Sequence, residues 1–253
     1  MSEPFAGIYP MLYAFFDVQG ALVRTAFERQ VTTCLARGAH GIAVLGLATE
    51  VSKLSVAERR QAVEWVAEAL GRRRPLAVTI FGSTPAAQIE AVRHAAEHGA
   101  GWVILQPPPD KTIGEAALMR FFGAVMEASP VPVAIQNAPE YIGIGLSPDN
   151  IVALHKEQAN FTLLKLEGPA TLAAQVIEAT DGRMAVFNGR GGLELPDNLR
   201  AGCAGMIPAP DCFDRLVDVY AAMRRGDEAD AERHYREILP AIAFVMQSID
   251  YLL

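Results

Sequence analysis

One unit recurs along the whole chain: a short apolar run, a turn, and an amphipathic stretch of helix-forming residues. The apolar runs cover 7–16, 41–47, 76–81, 102–106, 131–137, 161–168, 184–188 and 205–208. Most are too short for globular helices, and several are rich in Val and Ile, so they read as strands. They are near-continuously apolar rather than alternating, the pattern of a parallel sheet covered by helices.

The intervening stretches carry helix signals. Thr25 with Glu28, and Ser55 with Glu58, have the spacing of a capping box. Thr84-Pro85 and Ser147-Pro148 each set a capping residue before a proline suited to the first helical position. Val63, Val66, Ala67 and Leu70 make one apolar stripe, and Phe213, Leu216, Val217 and Tyr220 another. Gly38, Gly71, Gly99 and Gly226 stand where helices should stop in a left-handed conformation.

Eight strands alternating with eight helices predict an α/β fold, a (β/α)8 TIM barrel over residues 1–225. A doubly wound open sheet alternates in the same way, but it carries a nucleotide-binding fingerprint near its first turn, and none is present here. Residues 226–253 predict a C-terminal helical extension, a hairpin or a long helix, with Leu239, Ile242, Ala243 and Met246 on one face.

A composition 51% hydrophobic and 20% charged is that of a globular chain with a sizeable core. The net charge of −7 and the pI near 5.3 argue against nucleic acid or an acidic membrane surface as partner. Arg72, Arg73 and Arg74 follow a helix exit, where cations suit the helix dipole. Every long apolar stretch is interrupted before it reaches membrane-spanning length, and the N-terminal residues lack the features of a signal peptide. Cys34, Cys203 and Cys212 are odd in number and set among apolar neighbours, which predicts buried free thiols and a cytoplasmic location.

In such a barrel the chemistry sits at the carboxyl ends of the strands. The chain has four lysines, and Lys165 alone interrupts an apolar run, in FTLLKLEG at 161–168. Side chains alternate along a strand, so Leu163, Lys165 and Glu167 share one face. A structural Lys–Glu pair is one explanation, but a buried ion pair contributes little over an apolar substitute. Burial disfavours an ammonium, and a neutral amine is what attacks a carbonyl, so the pattern favours a functional lysine.

Five motifs extend the pattern: GLATEVSKLS at 46–55, QPPPDK at 106–111, IQNAP at 135–139, LLKLEG at 163–168 and GCAGMIP at 202–208. In order and spacing they resemble the dihydrodipicolinate synthase/N-acetylneuraminate lyase family of class I aldolases, over nearly the whole chain. The resemblance implies a Schiff base between Lys165 and the C2 carbonyl of a pyruvate-like 2-oxo acid. It implies no metal and no organic cofactor, a homotetramer built as a dimer of dimers, and a terminal helical region longer than the stretch ending at Leu253. By position it implies substrate contacts from Leu47, Ala48, Thr49, Gln136, Asn188 and Ile207.

The departures from that family are informative. Where it normally reads Gly-Thr-Thr-Gly-Glu, this chain has Leu47, Ala48 and Thr49 between Gly46 and Glu50, which leaves backbone N–H groups to hold a carboxylate but no hydroxyl relay. The usual Tyr-Tyr after the fourth strand is Pro108-Pro109, and the fifth-strand tyrosine aligns with Gln136, an amide that exchanges no proton near neutrality. Tyr141 stands where the synthase places an arginine. The synthase reaction is therefore not expected.

Glu167 is the proton carrier best placed to substitute. A Lys-x-Glu pair, together with GGLE at 191–194, is similar to the family branch that dehydrates 2-oxo-3-deoxy sugar acids, and that is the activity expected here. The alternatives are a retro-aldolase releasing pyruvate, a barrel that binds a 2-oxo acid without turnover, and a phosphate-handling enzyme using the glycine-rich loop at 189–192. Arg190 in that loop is a further candidate for a substrate carboxylate. His40, His94, His98, His155 and His234 are scattered over predicted helices and turns, which speaks against a metal-dependent aldolase. Trp65 and Trp102 read as packing residues, and Asn137 and Pro139 as shapers of the fifth loop.

Overall fold

The computed structural model describes residues 5–248 and Tyr251. Eight strands form one parallel sheet: β1 (Gly7–Ile8), β2 (Ile42–Val44), β3 (Leu76–Ile80), β4 (Trp102–Leu105), β5 (Val133–Asn137), β6 (Phe161–Leu166), β7 (Ala185–Asn188) and β8 (Gly205–Met206). They pair in the order β1-β8-β7-β6-β5-β4-β3-β2. A parallel bridge between Met11 and Ala43 joins the two ends, with Leu12 N–H donating to the Ala43 carbonyl at 2.9 Å, so the sheet closes into a barrel. The first apolar run, expected over 7–16, yields a strand of only two residues, because Pro10 has no N–H for a ladder. At Gly205 a Cβ would lie 1.9 Å from the Gly7 carbonyl oxygen, so only glycine lets β1 and β8 approach this closely.

Ten α-helices occur among the described residues: α1 (Arg24–Ala36), α2 (Val56–Leu70), α3 (Pro85–Glu97), α4 (Glu115–Glu127), α5 (Pro139–Ile142), α6 (Pro148–Glu157), α7 (Ala170–Ala179), α8 (Leu195–Arg200), α9 (Phe213–Arg224) and α10 (Glu228–Val245). Eight of them alternate with the strands. The single turn α5 is an addition within the loop after β5, and α10 is the helical extension. Ser55 and Glu58 form the expected capping box on α2, and Thr84 accepts from Ala87 N–H at 3.2 Å on α3. Gly71 ends α2 at φ 57°.

Three local expectations are corrected. Helix α1 begins two residues early, with Val23 rather than Thr25 at its N-cap, and Glu28 pairs with Arg24 at 2.7 Å instead of closing a box with Thr25. Ser147 precedes α6, but its hydroxyl donates to Glu115 at 3.0 Å rather than capping. The buried face of α10 is Ala231, Tyr235, Ile238 and Ile242, while Leu239 and Ala243 point to solvent. Of the expected face only Ile242 is fully buried, because Tyr235 sets the rotation of the helix: its hydroxyl accepts Glu194 N–H at 2.7 Å. Residues 249, 250, 252 and 253 of the expected extension lie outside the described residues.

Two apolar layers follow from strand alternation. Inward-facing Ala77, Ile104, Ala134, Leu163 and Phe187 fill the barrel, and Tyr9 meets Trp102 and Phe187 edge-on while those two rings are tilted, with centroids 5.3–5.8 Å apart. Outward-facing Val78, Leu105, Ile135, Leu164, Leu166 and Val186 pack under the helices. Among the described residues no helix is long and apolar enough to cross a membrane.

Candidate active site

At the carboxyl ends of the strands a cavity of about 640 Å³ opens, with Lys165 and Glu167 in its wall. Leu163 belongs to the inner layer, so Lys165, two residues on, also faces inward, and Glu167 just past the end of β6 comes round to the same side. Both are buried, 4% and 7% exposed, and Lys165 Nζ donates to Glu167 Oε1. A charged pair so withdrawn from water needs further hydrogen bonds, and a row of amides supplies them.

Gln136 is in register with Lys165 on the neighbouring strand and donates Nε2 to the same Glu167 oxygen at 2.9 Å. Gln106, at the end of β4, donates to Gln136 Oε1 at 2.8 Å. Gln88 of α3 in turn donates to the Gln106 carbonyl at 2.8 Å. Gln136 both accepts and donates through its side-chain amide, whereas Gln88 reaches the backbone carbonyl of Gln106 and its own Oε1 is buried without a partner among the described residues; the row ends on the carboxylate. Glu167 Oε2 has no protein donor among the described residues.

The site's loops are held in costly conformations. Six non-glycine residues among those described have left-handed backbone, and four lie in the loops after β2 and β7: Leu45 at φ 66° and Glu50 at 55°, Arg190 at 55° and Glu194 at 58°, of which Glu50 and Arg190 line this cavity. Gly189 makes room for the acid. A Cβ there would lie 2.9 Å from Glu167 Cγ and 3.1 Å from Oε1.

The residues expected to touch substrate divide into two groups. Leu47, Ala48 and Ile207 line the cavity, and the N–H groups of Leu47 and Ala48 have no acceptor among the described residues. Gln136 stands one hydrogen bond behind the wall. Thr49 and Asn188 stand outside the cavity wall, and their polar atoms bond elsewhere in the fold. The Thr49 hydroxyl donates to the Leu12 carbonyl at 2.5 Å and accepts Leu45 N–H at 3.0 Å, fixing the loop after β2. Asn188 is in register with outward-facing Leu166, so alternation turns it away from the interior. Its amide donates to the Gly168 carbonyl and to Asn198, each at 2.8 Å, and its oxygen accepts Gly189 N–H at 2.8 Å.

The glycine-rich loop is explained by close packing. Gly191 lies under Met246, and Gly192 under Leu216 and Ile242, with 3.0 Å and 2.9 Å left for an added Cβ. The N–H groups of Gly189 and Gly192 already bond within the loop or to β6. Arg190 does reach the cavity. Its Nη1 pairs with Glu194 at 3.2 Å and its Nε is buried without a partner among the described residues. Burial opposes the Arg190 charge, but Tyr141 and Glu194 outweigh it and hold the guanidinium above its ordinary pKa.

Tyr141, on α5, and Val245 and Met246, at the end of α10, complete the wall. The two α10 contributors come from the far end of the chain and carry no local signal in the sequence. Gln106 was detectable only as a polar residue closing an apolar strand. Asn137 shapes the fifth loop, exchanging bonds of 3.0 and 2.7 Å with the Leu146 backbone. Cys34 and Cys203 are buried, and burial pushes both thiols up to about 12, so neither is a nucleophile near neutrality.

Comparison with known proteins bears on the family and the fold. A sequence profile described as the Dihydrodipicolinate synthetase family matches residues 4–252. The chain is 30% identical over 237 residues to a 4-hydroxy-tetrahydrodipicolinate synthase of Methanothrix thermoacetophila, covering 92% of this chain and 79% of that one. It is 27% identical over 244 residues, 94% of this chain and 80% of the other, to an Escherichia coli protein provisionally named 2-dehydro-3-deoxy-D-gluconate aldolase YagE. A crystal structure from Pseudomonas aeruginosa, provisionally titled a dihydrodipicolinate synthetase, superposes with a TM-score of 0.91 at 27% identity, covering 96% of this chain and 84% of that one. The structure of YagE in complex with pyruvate superposes with a TM-score of 0.92 at 24% identity, covering 98% and 85%, which shows the shared fold.

Proposed function

The chain belongs to the Dihydrodipicolinate synthetase family, whose members are Schiff-base lyases and aldolases, and from that premise we propose that it dehydrates a 2-oxo-3-deoxy sugar acid on Lys165. The observation that carries this reading is the buried contact of Lys165 with Glu167, seated by Gln136 where relatives of the synthase type are expected to place a tyrosine.

Glu167 Oε1 accepts the proton that Lys165 Nζ must lose, and the freed amine adds to the C2 carbonyl of the substrate. The carbinolamine hydroxyl leaves as water with the proton held by Glu167, which restores the carboxylate and gives an iminium that draws electrons from the C3–H bond. Glu167 Oε2, with no protein donor among the described residues, takes the C3 proton and leaves an enamine. The enamine expels the C4 hydroxyl, which departs as water carrying the proton held by Glu167. Hydrolysis of the conjugated iminium returns Lys165 and releases the dehydrated 2-oxo acid.

The free N–H groups of Leu47 and Ala48 support a seat for the C1 carboxylate, and Met11 and Ile207 supply an apolar floor beneath C1–C3. Arg190, with its unpartnered Nε, takes an oxygen on the far part of the chain.

Retro-aldol cleavage is a second reading, favoured by the Tyr141 hydroxyl in the cavity wall, which can accept a hydrogen bond from the C4 hydroxyl while the Glu167 carboxylate takes its proton, and by the provisional name of the Escherichia coli relative. One experiment tests both. Borohydride reduction in the presence of pyruvate should label Lys165 and leave Lys165→Arg unlabelled; an unlabelled Lys165 refutes either route. Incubation with a panel of 2-oxo-3-deoxy acids should then yield a dehydrated product without pyruvate. Stoichiometric pyruvate would instead establish cleavage.

A further inference from the structure

Away from the cavity, on the outer layer of the barrel, α2 and α3 bring together three side chains that the chemistry above does not use. His94 lies in the last turn of α3 and His98 is its C-cap, so the four-residue spacing sets both imidazoles on one face, with ring centroids 4.3 Å apart. Glu64 of α2 faces them, its Oε1 3.5 Å from His94 Nε2. One ligand atom from each of Glu64, His94 and His98 can be chosen so that all lie within 4.8 Å of one another.

The proton on one imidazole is fixed by its neighbour. His98 Nδ1 is 2.9 Å from the His94 carbonyl oxygen. A carbonyl only accepts, so Nδ1 carries the hydrogen and Nε2 keeps its lone pair outward. Metal-bound histidines commonly have this arrangement, the ring N–H held by a backbone carbonyl while the other nitrogen ligates.

The seam that these residues span is incompletely packed. A cavity of about 360 Å³ lies between α2, α3 and β3, bordered by Val63, Ala91 and His94. Across it run the exposed ion pair of Arg60 with Glu90, a type of contact that contributes little, and a long 3.5 Å contact of His94 Nε2 with the Arg60 carbonyl oxygen.

We propose that Glu64, His94 and His98 form a binding site for a divalent transition-metal ion that staples α2 to α3. Two imidazoles and one carboxylate are a zinc donor set, with water completing the tetrahedron. Ligands about 2 Å from zinc lie about 3.3 Å apart, a closure within reach of rotamer changes at exposed His98 and half-exposed Glu64. The site serves stability and stands apart from the Schiff-base chemistry, so neither proposal depends on the other.

The test is calorimetric titration of the full chain with zinc chloride in chelator-treated buffer. One zinc should bind per chain, and at about a hundred times its dissociation constant it should raise the melting temperature by roughly 5–10 °C. His94→Ala and His98→Ala should each weaken binding by about tenfold or more, Glu64→Gln should weaken it less, and Glu167→Gln should leave it unchanged. Circular dichroism confirms that the surface variants fold. Absence of zinc binding by the wild-type chain, full affinity in the doubly substituted His94→Ala/His98→Ala chain, or loss of binding in Glu167→Gln would each overturn the proposal.

Discussion

Gln136 donates its side-chain amide to the same Glu167 oxygen that receives the Lys165 ammonium, at 2.9 Å. Two donors on one carboxylate oxygen hold the carboxylate in one orientation, and its other oxygen has no protein donor among the described residues. Gln106 keeps Gln136 from turning, because its own amide donates to the Gln136 oxygen at 2.8 Å.

Gln136→Leu removes that orientation without removing the acid or the amine. The kcat should fall roughly tenfold to a hundredfold, part of the ~10²–10⁴ that a positioned acid–base group supplies. Borohydride labelling of Lys165 with pyruvate should persist, since imine formation needs only the amine. Steady-state kinetics on the dehydration substrate, paired with mass mapping, checks both. An unchanged kcat refutes a positioning role for Gln136.

Gly189→Ala acts on the same carboxylate from the opposite side. The added methyl meets Glu167 Cγ at 2.9 Å, and the loop cannot retreat easily because Gly189 N–H is bonded to the Leu166 carbonyl at 3.0 Å. Glu167 must rotate away from Lys165. The kcat should drop by about tenfold or more while the melting temperature changes by only a few degrees, an overpacking cost of roughly 1–3 kcal/mol. Retention of full activity would show that the acid has more freedom than this packing allows.

The barrel was legible because its physics is local and periodic. Continuous apolar runs separated by capped helices report a covered parallel sheet, and β3–β7 fall within runs read from the sequence. Lys165 and Glu167 were legible for the same reason, being polar residues two apart in a run where alternation fixes their common face. That rule also identifies Asn188 as outward, since Phe187 before it belongs to the inner layer. Its assignment to the substrate followed family position rather than alternation. Thr49 is different: nothing local reveals that its hydroxyl bonds the Leu12 carbonyl, 37 residues away. Gln106 and Met246 reach the site through barrel closure and the docking of α10, which are long-range events without a local periodic signature.

Arg190→Ala separates substrate anchoring from chemistry. The guanidinium is 17% exposed in its side chain and keeps a buried Nε without a partner among the described residues. If that group binds an oxygen remote from C2–C4, its loss removes binding equally from ground and transition states. KM should rise by roughly 10- to 150-fold, the worth of one charge-assisted hydrogen bond of about 1.5–3 kcal/mol, with kcat changed little. A lowered kcat at unchanged KM would assign Arg190 to the reacting atoms instead.

His40 carries a pH dependence independent of the site. Burial first, then the Arg74 charge, hold its imidazole below the usual histidine range. Ile8 N–H donates to its Nδ1 at 3.2 Å, and its ring stands edge-on to Tyr220 with centroids 4.9 Å apart, so the neutral ring is the one the fold accommodates. The unfolded chain takes up the proton first as pH falls. The stabilising contribution is therefore complete above about pH 6.5 and is lost as the pH drops through the folded-state value, with a slope of at most about 1.4 kcal/mol per pH unit. His40→Asn keeps an acceptor for Ile8 and removes the titration. Urea unfolding at pH 7.5, 6.5 and 5.5 should show stability declining more steeply in the wild-type chain than in the variant, because carboxylates common to both cancel in the comparison. Parallel declines would mean that His40 titrates alike in the folded and unfolded chain.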